Sequence, residues 1–175
     1  MDSLRKRLQA MTEVEDVSQH PRLLQEIRGK CPNTIELLAS PHPVGRYTCL
    51  VHVLGFAGCP DYEAIASRGF HVVFAGRAFA HWLIDRGALS EVSQPEAKTG
   101  DFVFYFDQDG RFMHAGLDRT NLRVTSKWGI GHLYEHELWD VPESYGTSVR
   151  FFKQLPYEEA LDLFIQFARE KGMFF

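Results

Sequence analysis

Apolar positions recur at helical spacing in Leu4, Leu8 and Met11, and again in Leu23, Leu24 and Ile27 after Pro21, with Gly29 as a stop. This spacing predicts two short helices. From Cys31 to Arg46 the prolines Pro32, Pro41 and Pro43 and the glycine Gly45 interrupt any period, which predicts an ordered loop without regular structure. Thr48 is then a candidate N-cap for CLVHVLGF, in which Leu50, Val53 and Leu54 recur at helical spacing, so Cys49 falls in the first turn of a helix. Asp61 opens another short helix that ends near Gly69. The segment from His71 to Arg86, carrying Phe74, Ala78, His81 and Trp82, reads as a longer one closed by Gly87.

After Gly100 the period changes. FVFYF, ending in the turn DQDG, reads as a buried strand; RFMHAGLD and NLRVTSKW read as two more joined by a tight turn around Arg119 to Asn121; TSVRFFKQL follows Tyr145-Gly146 as another. At least three of these are expected to be neighbours in an antiparallel meander. Pro156, Glu158 and Glu159 mark the start of a final helix with Leu161, Phe164, Phe167 and Ala168 on one face, closed by Lys171 and Gly172. The expected fold class is α+β: one domain over 1–175, with helices and a loop through 46, a core at 47–155 and a C-terminal helix at 156–175 packed with the N-terminal helices on a small antiparallel sheet.

With 45% hydrophobic, 13% aromatic and 24% charged residues the chain has the composition of a packed globular domain. A net charge of -4 with no basic stripe argues against a nucleic-acid partner, and Arg5-Lys6-Arg7 reads as a solvated helix face. No run approaches the ~18 apolar residues that span a bilayer, and MDSLRKRLQAMTEVED lacks the apolar middle of a secretory signal, so no membrane partner and a cytoplasmic location are expected. Cys31, Cys49 and Cys59 are odd in number and form no CxxC pair, which indicates neither a disulfide framework nor a zinc ribbon, and no cofactor is expected.

Candidate chemistry centres on Cys49. A thiol at a helix start lies near unpaired N–H groups that favour thiolate, although a free cysteine is more commonly a small buried hydrophobe. His114, within a strand and followed by the small pair Ala115-Gly116, is the best candidate base. If a three-residue loop joins its strand to the next, Asp118 opposes Leu122 and His114 opposes Ser126, whose hydroxyl would orient the imidazole; strand alternation puts Trp128 on the Ser126 face and Lys127 on the other. His136 is the second candidate for that orienting role, from a loop folded back across the sheet edge. His132 and Glu135 are weaker candidates, and a metal held by Cys49, His114 and His136 lacks any compact ligand spacing.

The order of these elements resembles the NlpC/P60 and CHAP type of papain-like thiol hydrolases: Cys49 on a helix start, then GDFVFYF, similar to the family's GDLVFF-like strand, then HAGL, similar to its HVGI-like strand, then a third polar residue. The resemblance covers roughly Tyr47 to Leu155. A closer similarity is to a bacterial family without an assigned activity, whose pattern of aromatic-x-Cys, His-Ala, SK-x-G, His and Tyr-Gly stands here at Tyr47 to Cys49, His114-Ala115, Ser126 to Gly129, His136, and Tyr145-Gly146. At the third position Ser126 stands where the hydrolases carry His, Asn or an acid. The resemblance implies a papain-like fold and a cysteine peptidase or amidase, with a peptide or amide substrate, such as a peptidoglycan amide or a protein. Cys49 would be its nucleophile, His114 its proton shuttle, Ser126 or His136 the orienting residue, and Lys127 and Trp128 the substrate contacts. Without a secretory signal, action on a cell wall would require another export route. The competing expectation is a non-catalytic module on the same fold that binds a protein through Trp128, Tyr134 and Trp139, provided these aromatics are exposed.

Overall fold

The computed structural model describes residues 3–67 and 73–172. Helices α1 (Leu4–Thr12) and α2 (His20–Lys30) form where the apolar spacing predicts them; Ser3 caps the first by accepting the Lys6 N–H, and Pro21 sits in the first turn of the second. Next come α3 (Cys49–Val53), α4 (Pro60–Ala66), α5 (Arg77–Asp85) and α6 (Tyr157–Glu170). Helix α5 begins at Arg77, not His71: Gly76 is extended (φ -134, ψ -159) and breaks the run, and Phe74, expected on a helix face, is exposed instead. Residues 71 and 72, and the expected end of α4 at Gly69, lie outside the described residues.

Seven strands, β1 (Glu36–Leu38), β2 (Glu91–Val92), β3 (Phe102–Phe106), β4 (Phe112–Asp118), β5 (Arg123–Lys127), β6 (Leu133–Glu137) and β7 (Ser148–Phe152), make one sheet in the order β1-β6-β5-β4-β3-β7-β2. Every neighbouring pair is antiparallel. The sheet is thus larger than the expected meander. Strand β1 forms inside the proline-rich run between Pro32 and Pro41, where a loop is expected, by pairing with β6.

Helices cover both faces. One face, with Phe102, Phe104, Phe106, Ala115 and Phe152, packs against α3 to α6; the other, with Val103, Tyr105, Val124, Trp128 and Tyr134, packs against α1 and α2. Strand β3 lies between these two cores, which is why FVFYF is apolar at every position and buried throughout. On the first face Phe164 of α6 meets Tyr62 at 4.9 Å and Phe79 at 5.2 Å between ring centroids. Truncating such an aromatic costs about 3–5 kcal/mol.

The register of β4 on β5 differs from expectation. Asp118 faces Val124 and Gly116 faces Ser126, so His114 is displaced by two positions from the residue expected opposite it. The three-residue turn lies one position later than expected, at Thr120–Leu122, closed by the Arg119 N–H to the Arg123 carbonyl at 2.8 Å, and Asn121 (φ 62) and Leu122 (φ 60) both adopt left-handed backbone conformations, which a leucine rarely does. A two-residue shift preserves the face, so His114 and Ser126 still lie on the same side of the sheet.

Arg5 also departs from the expected solvated face. Its guanidinium donates to the carbonyls of Val141 (3.2 Å), Pro142 (3.2 Å) and Gly146 (2.6 Å) and stands 5.5 Å over the Trp139 ring. It ties α1 to the segment that carries Tyr145. Among the described residues no helix is long and apolar enough to cross a membrane.

Candidate active site

Thr48 occupies the N-cap position of α3, but its hydroxyl makes no capping bond and is buried without a partner. The first N–H groups of the helix, those of Cys49 and Leu50, lie near the Cys49 sulfur together with the N–H of Ala115 from β4. The β4–β5 ladder ends at the pair Gly116–Ser126, and one step beyond it the Ala115 N–H lies near the thiol. Because that N–H is joined by its peptide bond to the His114 carbonyl, the sulfur lies beside the main chain of His114. Cys49 is partly exposed; burial of its thiol raises the pKa, whereas the three N–H groups and the Lys127 charge pull it back down. The resting form is the thiol.

Successive residues of β4 point to opposite faces. Ala115 packs toward α3, while the His114 ring lies in the other core, stacked on Tyr145 at 4.0 Å and 5.5 Å from Tyr105. The imidazole is 1% exposed, its Nε2 has no hydrogen-bond partner, and burial holds its pKa well below the ordinary histidine range, with His136 and His52 pushing in the same direction. A negative charge on Cys49 would act both on Lys127 and on Tyr145, the ring stacked on His114.

Ser126 bonds elsewhere than expected. Its Oγ accepts the Trp128 Nε1–H at 3.0 Å, so its own hydrogen is directed to His136 Nε2 at 2.7 Å, and His136 Nδ1–H donates to the Glu137 carbonyl at 2.8 Å. This chain fixes the His136 tautomer. Ser126 and His136 therefore serve one another and Trp128 instead of orienting His114. His136 reaches Ser126 from strand β6, not from a folded-back loop. Ser126→Ala leaves the Trp128 and His136 nitrogens unpartnered in the core and is expected to cost about 1–3 kcal/mol in urea unfolding; a loss below ~0.5 kcal/mol would mean that the chain of bonds carries no weight.

The two expected substrate contacts are both enclosed. Trp128 is 1% exposed within the core, and Lys127, also 1% exposed, lies on the Cys49 side of the sheet with its ammonium 4.5 Å over the Tyr47 ring. Burial of Trp128 and Tyr134 also removes two of the three aromatics on which the protein-binding alternative depends, leaving Trp139 half exposed. His132 bonds to the Val17 carbonyl, and Glu135 pairs with Arg123 at 2.7 Å, so both are structural. Among the described residues no three His, Cys, Asp or Glu side chains converge to hold a metal ion.

Sequence reasoning missed His52, one helical turn after Cys49, whose buried Nε2 has no partner and whose pKa falls to about 4 through burial, with Lys127 and His42 adding to the shift. The i to i+3 spacing from Cys49 was the available signal. Tyr145 was visible only as half of the Tyr-Gly pattern. Compared with family models, with curated proteins and with solved structures, the chain has no match in any of the three.

Proposed function

We propose that this chain is a thiol hydrolase of peptide or related amide bonds, with Cys49 as nucleophile and His114, whose ring rests on the opposite face of the sheet, as the base that must be brought to it. The observation that carries this reading is the place of Cys49 at the start of α3, with its sulfur near the N–H groups of Cys49, Leu50 and Ala115 and beside the main chain of His114. N–H groups gathered near the sulfur favour negative charge there, first on the thiolate and then on the carbonyl oxygen of a bound amide. In the proposed cycle His114 takes the thiol proton, the sulfur bonds to the carbonyl carbon, and the tetrahedral intermediate collapses to a thioester as His114 returns the proton to the departing amine. Water, deprotonated by His114, then releases the acid and restores the thiol. For this the His114 ring must leave its stack on Tyr145 and reach the sulfur around the β4 main chain. Peptide, isopeptide and side-chain amide bonds suit this arrangement, and a peptidoglycan amide is what the family resemblance suggests.

Cys49→Ala is the direct test, assayed on peptide coumarylamides and on a muropeptide mixture. The side chain is small and partly exposed, so the variant is expected to melt within a few degrees of the parent while losing at least about a thousandfold in turnover. Hydrolysis that survives the substitution, or a variant that no longer folds, would assign Cys49 a structural role instead.

A further inference from the structure

Lys127 is left without a role by the hydrolase reading, and its surroundings are unusual for a lysine. Its side chain is buried, its Nζ donates to the carbonyls of Gly131 at 2.7 Å and Gly129 at 3.4 Å, and it rests on the face of Tyr47. The turn that follows β5 wraps around its own lysine: Gly129 takes φ 57, and at Gly131 an added Cβ would stand 3.0 Å from the Trp128 carbonyl oxygen. Carbonyls and a ring solvate an ammonium but do not neutralise it, and among the described residues no carboxylate pairs with Lys127.

The ionisable groups around Lys127 and the thiol are Cys49 and His52 from α3, His42 and Tyr47 from the preceding loop, His114 from β4, and Tyr145 from the segment that Arg5 holds. None is a carboxylate. Of these groups, only Cys49 must become negative during thiol chemistry. Helix α3, which begins at Cys49, packs against β4 and β5, and the Tyr47 ring on which the Lys127 ammonium rests lies two residues before Cys49.

We infer that Lys127 is the cationic partner of Cys49, its buried ammonium holding the negative charge that develops on the sulfur as the thiol proton leaves. The inference rests on the reading of Cys49 as the nucleophile and adds to it a positioning residue outside the ordinary cysteine and histidine pair. Lys127 keeps its own protons throughout: the thiol proton goes to His114, and no bond to Nζ forms or breaks. Burial lowers Lys127 to about 8, with Cys49 acting in the opposite direction. Lys127 is therefore charged below about pH 8, and its support for the thiolate fades as pH rises past that value.

Iodoacetamide labelling of Cys49 in the full chain, followed from pH 6 to 10 in the parent, Lys127→Met and Lys127→Arg, tests this directly. Lys127→Met is expected to raise the apparent pKa of the thiol by at least one unit, slowing labelling at pH 7 about tenfold while leaving the high-pH plateau in place. Lys127→Arg, which keeps the charge, is expected to recover most of the rate. An unchanged apparent pKa in Lys127→Met overturns the inference, as does a lowered plateau with no shift, the mark of a packing role. If Lys127→Met does not fold, the reciprocal measurement decides: in an NMR titration of the lysine ammonium, Cys49→Ala should lower the Lys127 pKa, and no change overturns the inference. Amide hydrolysis without thiol-ammonium coupling would sink this inference alone, whereas coupling without any hydrolysis would sink the proposed activity alone.

Discussion

Gly146→Ala is expected to destabilise the protein by about 3–5 kcal/mol, more than an ordinary loop substitution, and to disturb the candidate site at the same time. Gly146 has φ 119 and ψ 179, a region that only glycine enters readily. An added Cβ would stand 2.4 Å from the Phe106 carbonyl oxygen and 2.7 Å from its carbonyl carbon. Those atoms belong to β3, held by β4 on one side and β7 on the other, so they cannot retreat. The loop must move instead, and with it go the 2.6 Å bond from Arg5 to the Gly146 carbonyl and the stack of Tyr145 on His114. Gly87 is the matched control: it too has positive φ, at 65, but nothing lies within 4 Å of its added Cβ, so Gly87→Ala should cost only about 1 kcal/mol. Urea unfolding of the two variants measures the difference. Equal losses would show that the close approach to β3 is not what fixes the segment. In the folded fraction of Gly146→Ala, altered iodoacetamide labelling of Cys49 would report the link from Tyr145 to the site.

Segments with a strong single period were legible in the sequence. The α6 pattern, the β3 run and the placement of Cys49 at a helix start all follow from local composition, because each is buried by its own apolar residues. Strand β6 was not legible: LYEHE carries Glu135 and His136, and its stability depends on Arg123 and Ser126 from β5, partners that a linear pattern does not display. Strand β1 has three residues and exists only through its pairing with β6. The register of β4 on β5 was hidden for a related reason, since the turn places Leu122 in a conformation that leucine ordinarily avoids. At the site, strand alternation put Lys127 on the face away from Ser126, and that held. Its burial beside Cys49 depends on carbonyls from the following turn, which composition does not reveal. Equal spacing of polar residues also concealed the fact that Ser126 and His136 bond to one another and not to His114.

Stability should fall steeply between pH 6.5 and pH 4, before most carboxylates titrate. His136 is fully buried, and burial lowers its pKa from 6.5 to about 4. His52 is lowered to about 4 as well, and His114 falls well below 6.5, both first through burial. The sign follows from proton binding. Above pH 6.5 these rings are neutral whether the chain is folded or unfolded, and their pKa shifts cost nothing. As pH falls below 6.5 the unfolded chain takes up protons that the folded chain refuses, so unfolding gains free energy until the folded pKa is reached. For His136 the full loss is about 3 kcal/mol, and three such rings together give a slope approaching ~4 kcal/mol per pH unit. By pH 5 the three rings together account for about 6 kcal/mol, which is a large part of a domain stability of roughly 5–15 kcal/mol. Urea midpoints at pH 7.5, 6.0 and 5.0 measure the slope above the range of ordinary carboxylates. His136→Asn, which removes one titrating ring, should reduce it by up to about 1.4 kcal/mol per pH unit. A midpoint that stays level from pH 7.5 to 5.0 would show that the folded protein accepts these protons. His114 would then be able to hold a proton at rest, and the thiol beside it would need less help from Lys127 than its burial implies.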